Sequence, residues 1–171
     1  DIYVSGNLGD SYLGLLVLKN KLKLNRKLKK YFINQYFMPN IQLKLTEQIS
    51  KFANTSIDIS DGLLADLDKM INNQKLSYNL FLKDIPISNN LKKILDLKKL
   101  SKINYVSNGD DYQVLFTASK NKSRIIKTIA SNCRVKITKI GSIQSQVIKS
   151  SIVDDKNVQI SVKNKGYFHQ F

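Results

Sequence analysis

The sequence predicts an α+β domain in which helices pack on a mixed sheet. Three observations carry that expectation. The chain has 171 residues and is 42% hydrophobic, enough for one compact core and too little for two comfortable ones. Segments with strand-like alternation and segments with helical spacing are interleaved, yet they never settle into a strict βαβ repeat. Three β-rich runs follow one another in the last third with only short connections. Residues 1–171 are therefore expected to form a single unit.

The elements follow in order along the chain. "DIYVSG" is a β-rich run closed by glycine, and "NLGDS" turns from it into the leucine-rich helix "YLGLLVLKNKL". A second helix is expected from Arg26 to Phe37, ending before Pro39, and a third from Leu43 to Phe52. Ser56 to Ser60 reads as a strand. Asp61 to Asn73 reads as a helix, with Leu63, Leu64, Leu67, Met70 and Ile71 at helical spacing. "KLSYNLFLKDIPI" at 75–87 alternates as a strand, and "NNLKKILDLKKL" is a short helix. "DDYQVLFTAS" is β-branched and aromatic, and "KNKSRIIKTIAS" returns to helical spacing. "RVKITKIGSI", "SQVIKSSIV" and "VQISV" read as strands joined by tight turns at Gly141 and at Asp154 to Asn157.

The net charge of +15 raises nucleic-acid binding, because lysine and arginine neutralise phosphates. Only Arg26, Arg124 and Arg134 are arginines among 28 basic residues, however, and bidentate reading of phosphates and base edges favours arginine. The densest basic run, "KNKLKLNRKLKK" at 19–30, interleaves leucines and reads as a helical hairpin with a solvated lysine face. Nucleic acid is therefore a disfavoured partner. The single cysteine, Cys133, excludes an internal disulfide, and no apolar run approaches the roughly 20 residues of a membrane-spanning helix. A soluble, cytoplasmic protein is expected, with no membrane partner and no visible secretory leader. A chain opening on Asp1 looks like a piece of something longer.

Of 13 acidic residues, four lie in or just after "IDISDGLLADL": Asp58, Asp61, Asp66 and Asp68. In a strand over 56–60, Ile57 and Ile59 face one way and Asp58 and Ser60 the other. Asp61 follows at the turn, where a carboxylate can accept the first amides of a helix and Gly62 permits close approach. Three oxygen groups thus converge on one strand-to-helix corner. Hard divalent cations take such oxygens, commonly one or two carboxylates together with waters and substrate phosphates. Ser60 or Asp61 can also be read as a helix cap, which leaves Asp58 unexplained, since aspartate is disfavoured inside a strand. Asp66 and Asp68 are expected on the solvated side of the helix. Asp110 and Asp111 sit at a turn entering a strand, and His169 is expected to be structural.

"SGNLGDSYLGLLVL", "SIDISDGLLADL", "NGDDYQVLFT", "ITKIGSI" and "GYFHQF" occur in an order that resembles the C-terminal domain of thiamine-monophosphate kinases, over essentially the whole chain. That family is grouped with aminoimidazole ribonucleotide synthetase, selenophosphate synthetase and a hydrogenase maturation factor. The resemblance implies a distantly ferredoxin-like α+β domain, as in the C-terminal domain of aminoimidazole ribonucleotide synthetase. It also implies a missing N-terminal domain and a homodimeric intact enzyme. The implied reaction is Mg2+-dependent, direct in-line transfer of the ATP γ-phosphoryl group to thiamine monophosphate, giving thiamine diphosphate and ADP. Carried over by position, Asp58 and Asp61 would be metal ligands and Ser60 an ATP contact. Asp110 would contact the thiamine phosphate, with Asp111 as its substitute, and Tyr167 would stack on a thiamine ring. The chain departs from the family pattern at Ile41, Gln42, Asn108 and Gln113. The fragment alone is expected to be inactive. The alternatives are another ATP-dependent enzyme of the same superfamily, or a basic module that binds small molecules or nucleic acid.

Overall fold

The computed structural model describes residues 1–72, 74–145, 147–162 and 165–166. Among these, six strands and seven α-helices follow in the order β1 (Ile2–Ser5), α1 (Asp10–Leu18), α2 (Arg26–Phe37), α3 (Leu43–Ile49), β2 (Thr55–Asp58), α4 (Leu63–Met70), β3 (Leu76–Phe81), α5 (Asn89–Lys98), α6 (Ile103–Val106), β4 (Val114–Thr117), α7 (Ser123–Cys133), β5 (Ile137–Ser145) and β6 (Ser151–Val153). All six strands join one sheet in the order β2-β4-β1-β5-β3-β6. β3 and β6 run parallel, and the other neighbours antiparallel. The fold is α+β on a mixed sheet, as expected.

Period-two alternation assigns the central strands to two cores. Ile2 and Val4 of β1 and Leu115 of β4 face α4, where they meet Leu63, Leu64 and Leu67. Tyr3, Val114 and Phe116 face the opposite way, packing with Leu45 and Ile49 of α3 and Ile126 and Ile129 of α7. Tyr3 and Phe116 stack across neighbouring strands at 5.3 Å. A third cluster ties the α1–α2 hairpin to α5 through Leu13, Val17, Phe32, Leu91 and Ile94. Each fully buried leucine or isoleucine in these clusters contributes about 1.5–3 kcal/mol relative to exposure. Among the described residues, no helix is long and apolar enough to cross a membrane.

The basic run at 19–30 behaves as expected. α1 ends at Leu18, Asn25 caps α2 by accepting the Leu28 amide at 2.9 Å, and every lysine between the two helices and in the first turns of α2 is exposed. Three expectations need correction. Gly141 is no turn: it lies inside β5, opposite Ile2 and Leu80, where the register with β1 shifts. Glycine there marks an irregularity in the ladder. "VQISV" forms no strand. After the turn at Asp154 to Asn157 it makes one bridge, Gln159 to Val153, and Ile160 donates to the Ile152 carbonyl at 2.8 Å. Ile160 and Val162 pack onto the core. Finally, α6 has no counterpart in the sequence reading, since four residues carry no periodic signal.

Candidate functional site

Two turns meet at the end of the β2–β4 pair. The ladder continues past the strands: Ile59 donates to the Gln113 carbonyl, Tyr112 to that of Ile59 and Asp110 to that of Ser60, each at 2.9 Å. The backbones are so close that a Cβ at Gly109 would lie 1.8 Å from the Ser60 carbonyl oxygen. This contact brings the acidic corner at 58–61 beside the second acidic pair, which lies about 50 residues further along the chain.

The second turn sends consecutive side chains to different places. Asp110 and Tyr112 have φ of 67° and 49°, a left-handed conformation that aspartate tolerates and tyrosine rarely adopts. Both line an open cavity of about 620 Å³, together with Ser60, Asp61, Tyr12 and Tyr36. Lys19 stands at the same cavity. Burial and the neighbouring Asp61 charge raise the Asp110 pKa, and Lys19 partly opposes them. Asp111 turns inward instead and is 4% exposed. It accepts the Gly9 amide at 2.7 Å and the Ser11 amide at 3.4 Å, serving the N-terminus of α1, which has no cap from its own Gly9. Burial pushes its carboxyl up to about 8, although those two amides favour the charged form. Asp110, and not its neighbour, is thus the acid that faces the cavity.

The first turn is organised by a residue misplaced in the sequence reading. Asp66, expected on the solvated side of α4, is 0% exposed. Its Oδ2 accepts the amides of Ser60, Asp61 and Gly62 at 3.0, 2.9 and 3.0 Å. The correction extends to Asp61, which does not cap the helix: the N-cap is Gly62, with no side-chain capping bond. The physical reason lies in the helix repeat. Leu63, Asp66, Leu67 and Met70 stand at i, i+3, i+4 and i+7, so Asp66 is on the core stripe. A buried carboxylate there is tolerable because three amides converge on it near a helix N-terminus. Asp68, the other acid assigned to the surface, is partly exposed and pairs with Lys165 at 2.7 Å.

Lys69 completes the corner. It donates to Asp66 Oδ1 at 2.9 Å and also to Asp61 Oδ2, and these bonds hold its pKa above the ordinary lysine value. Among the described residues, no three His, Cys, Asp or Glu side chains gather to hold a metal ion. The oxygen chemistry of Asp61 still fits a hard cation, since it already draws a cationic group. Such an ion would take further oxygens from phosphates, water or another region of the protein.

Of the five expected site residues, Ser60, Asp61 and Asp110 come together around the cavity. Asp58 is exposed at the end of β2, opposite in facing to the buried Ile59, as alternation requires. Tyr167 and His169 lie outside the described residues. Gly166 is packed on the Asp61 backbone, and the Lys165 carbonyl accepts the Ala65 amide at 3.0 Å. The cavity residues Tyr12, Tyr36 and Lys19 escape the sequence reading because they arrive on the α1–α2 hairpin, remote from either acidic motif. Gln113, a departure from the family pattern, accepts from Ser5 Oγ at 2.8 Å and donates to the Asn40 carbonyl at 3.3 Å.

No family model matches the chain. It is 35% identical over 170 residues to the thiamine-monophosphate kinase of Buchnera aphidicola subsp. Acyrthosiphon pisum, covering 98% of this chain and 52% of that protein. The Aquifex aeolicus kinase is 30% identical over 169 residues, with 51% of its length covered. Thus the chain spans about half the length of the curated relatives it matches. Among solved structures, thiamine-monophosphate kinase from Stenotrophomonas maltophilia K279a superposes with a TM-score of 0.76 at 27% identity, over 91% of this chain and 49% of that one. AaThiL complexed with AMPPCP and TMP gives 0.75 at 27% identity, over 98% and 50%. E. coli HypE, 14% identical with a TM-score of 0.68, shares the fold. In sequence and in fold, the chain is a homologue of about half of a thiamine-monophosphate kinase.

Proposed function

We propose that the chain is the C-terminal half of a cytoplasmic, Mg2+-dependent thiamine-monophosphate kinase. The intact enzyme transfers the ATP γ-phosphoryl group to thiamine monophosphate, giving thiamine diphosphate and ADP. The observation that carries this reading is the convergence of Ser60, Asp61 and Asp110 on one cavity, in a chain that matches such kinases over 98% of its length. The AaThiL structure complexed with AMPPCP and TMP supports both substrate assignments by homology.

Phosphoryl transfer asks a protein chiefly for positioning and charge compensation, so no nucleophilic side chain is required. Asp61 and Asp58 would hold Mg2+, which would neutralise the phosphates and align them for direct in-line transfer. Ser60 positions ATP with its hydroxyl. Asp110 orients thiamine monophosphate from the opposite turn, and Tyr167 stacks on a thiamine ring. The fused turns fix the relative placement of Ser60, Asp61 and Asp110, because neither can move without breaking the Asp110–Ser60 backbone bond. The remaining ligands come from an N-terminal domain, which also forms the homodimer, so this chain alone is inactive.

A protein that includes the other half should consume ATP only when thiamine monophosphate is present. Replacing Asp58, Asp61 or Asp110 by asparagine should each lower turnover by about 100-fold, the scale of one lost electrostatic stabiliser. Wild-type turnover in the Asp61→Asn protein would overturn the metal-ligand assignment.

A further inference from the structure

We propose that Lys69 is an exchangeable resident counter-ion: its ammonium occupies Asp61 until a divalent cation displaces it, and Asp66 tethers it for that exchange. The inference rests on the reading of Asp61 as a cation ligand. Three features of the corner carry it. Lys69 Nζ binds both carboxylates at once, Asp66 Oδ1 at 2.9 Å and Asp61 Oδ2. The two carboxylates are unlike, for Asp66 is 0% exposed and committed to three amides, whereas the Asp61 side chain is 16% exposed and lines the cavity. The Lys69 side chain is 51% exposed, so it can leave one partner without being drawn from a core.

These differences give the exchange a direction. A divalent cation entering the cavity meets Asp61 first and cannot reach the enclosed Asp66. Lys69 can release Asp61 and keep its bond to Asp66, so the buried carboxylate never loses its cationic partner. No proton or covalent bond changes hands. One helical turn supplies the arrangement, since Asp66 and Lys69 are i and i+3 on α4. Lys69 acts through Asp61 and is a positioning residue. It keeps the turn from meeting an uncompensated carboxylate in the absence of metal, and its cost is a weaker first affinity for the cation.

The test is Mn2+ binding to the protein that joins this chain to its other half, read from the electron paramagnetic resonance signal of free Mn2+. Wild type is compared with Lys69→Gln, Lys69→Arg and Asp61→Asn. Lys69→Gln should bind Mn2+ about two- to five-fold more tightly, the range of an exposed ion pair, while Lys69→Arg keeps the competitor and stays within about twofold of wild type. Asp61→Asn should lose the site. A second measurement follows the Lys69 side-chain resonances by NMR as Mg2+ is added. They should shift saturably in wild type and remain still in Asp61→Asn. If Lys69→Gln binds no more tightly while Asp61→Asn loses the site, the counter-ion role is overturned and the Asp61 assignment stands. If Asp61→Asn binds as wild type does, or no variant binds Mn2+, the Asp61 assignment falls and the inference with it.

Discussion

Replacing Asp66 by alanine separates a buried organiser from a solvated helix carboxylate. Its Oδ2 receives three amides at 2.9–3.0 Å, and hydrogen bonds to a charged group contribute about 1.5–3 kcal/mol each when buried. The Gly62 bond is buried and counts in full, whereas those of Ser60 and Asp61 are part-buried and their amides can recover water. Counting these two at roughly half gives a loss of about 3–6 kcal/mol. The pair with half-exposed Lys69 adds under about 1 kcal/mol, and the better helix propensity of alanine returns about 0.5 kcal/mol. The net expectation is about 3–6 kcal/mol, with Asp66→Asn near half of that because its amide oxygen still accepts. Urea unfolding at pH 7 measures both values. A loss below about 1 kcal/mol for Asp66→Ala is what a solvated carboxylate would show, and would refute the organising role.

Further outcomes follow from the same turns. With its pKa pushed up to about 8, Asp111 binds a proton in the folded chain over a range where the unfolded chain has released it. Its contribution to stability is therefore present below about pH 4 and lost as pH rises to about 8. Unfolding free energies of wild type and Asp111→Asn, compared across that window, should converge at the acid end and diverge in favour of asparagine toward pH 8. The opposite trend would contradict the buried placement. Gly109→Ala must push the Ser60 and Gly109 backbones apart, since they leave no room for a methyl group, at a cost of about 2–4 kcal/mol. In a chain that stays folded, its amide spectra should change at Ser60 and Asp110 together. A perturbation confined to 109 would show that the turns are not fused.

Much of the fold is legible because the central strands obey simple alternation. Ile2 and Val4 against Tyr3, and Leu115 against Phe116, divide between two faces as period two demands. The second helix is equally legible from the proline that follows it, and its bounds agree with the structure. The failures have physical causes. Asp66 is assigned to solvent by its residue type, although its position on the Leu63–Leu67–Met70 stripe points inward. An acid on an apolar stripe near a helix start is itself a sign that amides await it. Gly141 reads as a turn because glycine signals both turns and ladder irregularities, and only pairing on both sides separates the two. At the site, Ser60 and Asp61 are legible as a strand-to-helix corner. Their meeting with Asp110 is not, since it depends on a contact between turns distant in sequence. The tyrosines of the hairpin carry no chemical motif and can be placed only by the fold.

The most direct measurement of the central claim is phosphoryl transfer by the protein that joins this chain to its other half. ADP and thiamine diphosphate are quantified with ATP, Mg2+ and thiamine monophosphate, and again with each one omitted. Equal amounts of both products are expected when all three are present, none when any is missing, and about a 100-fold loss in Asp61→Asn. ATP turnover that ignores thiamine monophosphate, or full activity in Asp61→Asn, would contradict the kinase reading.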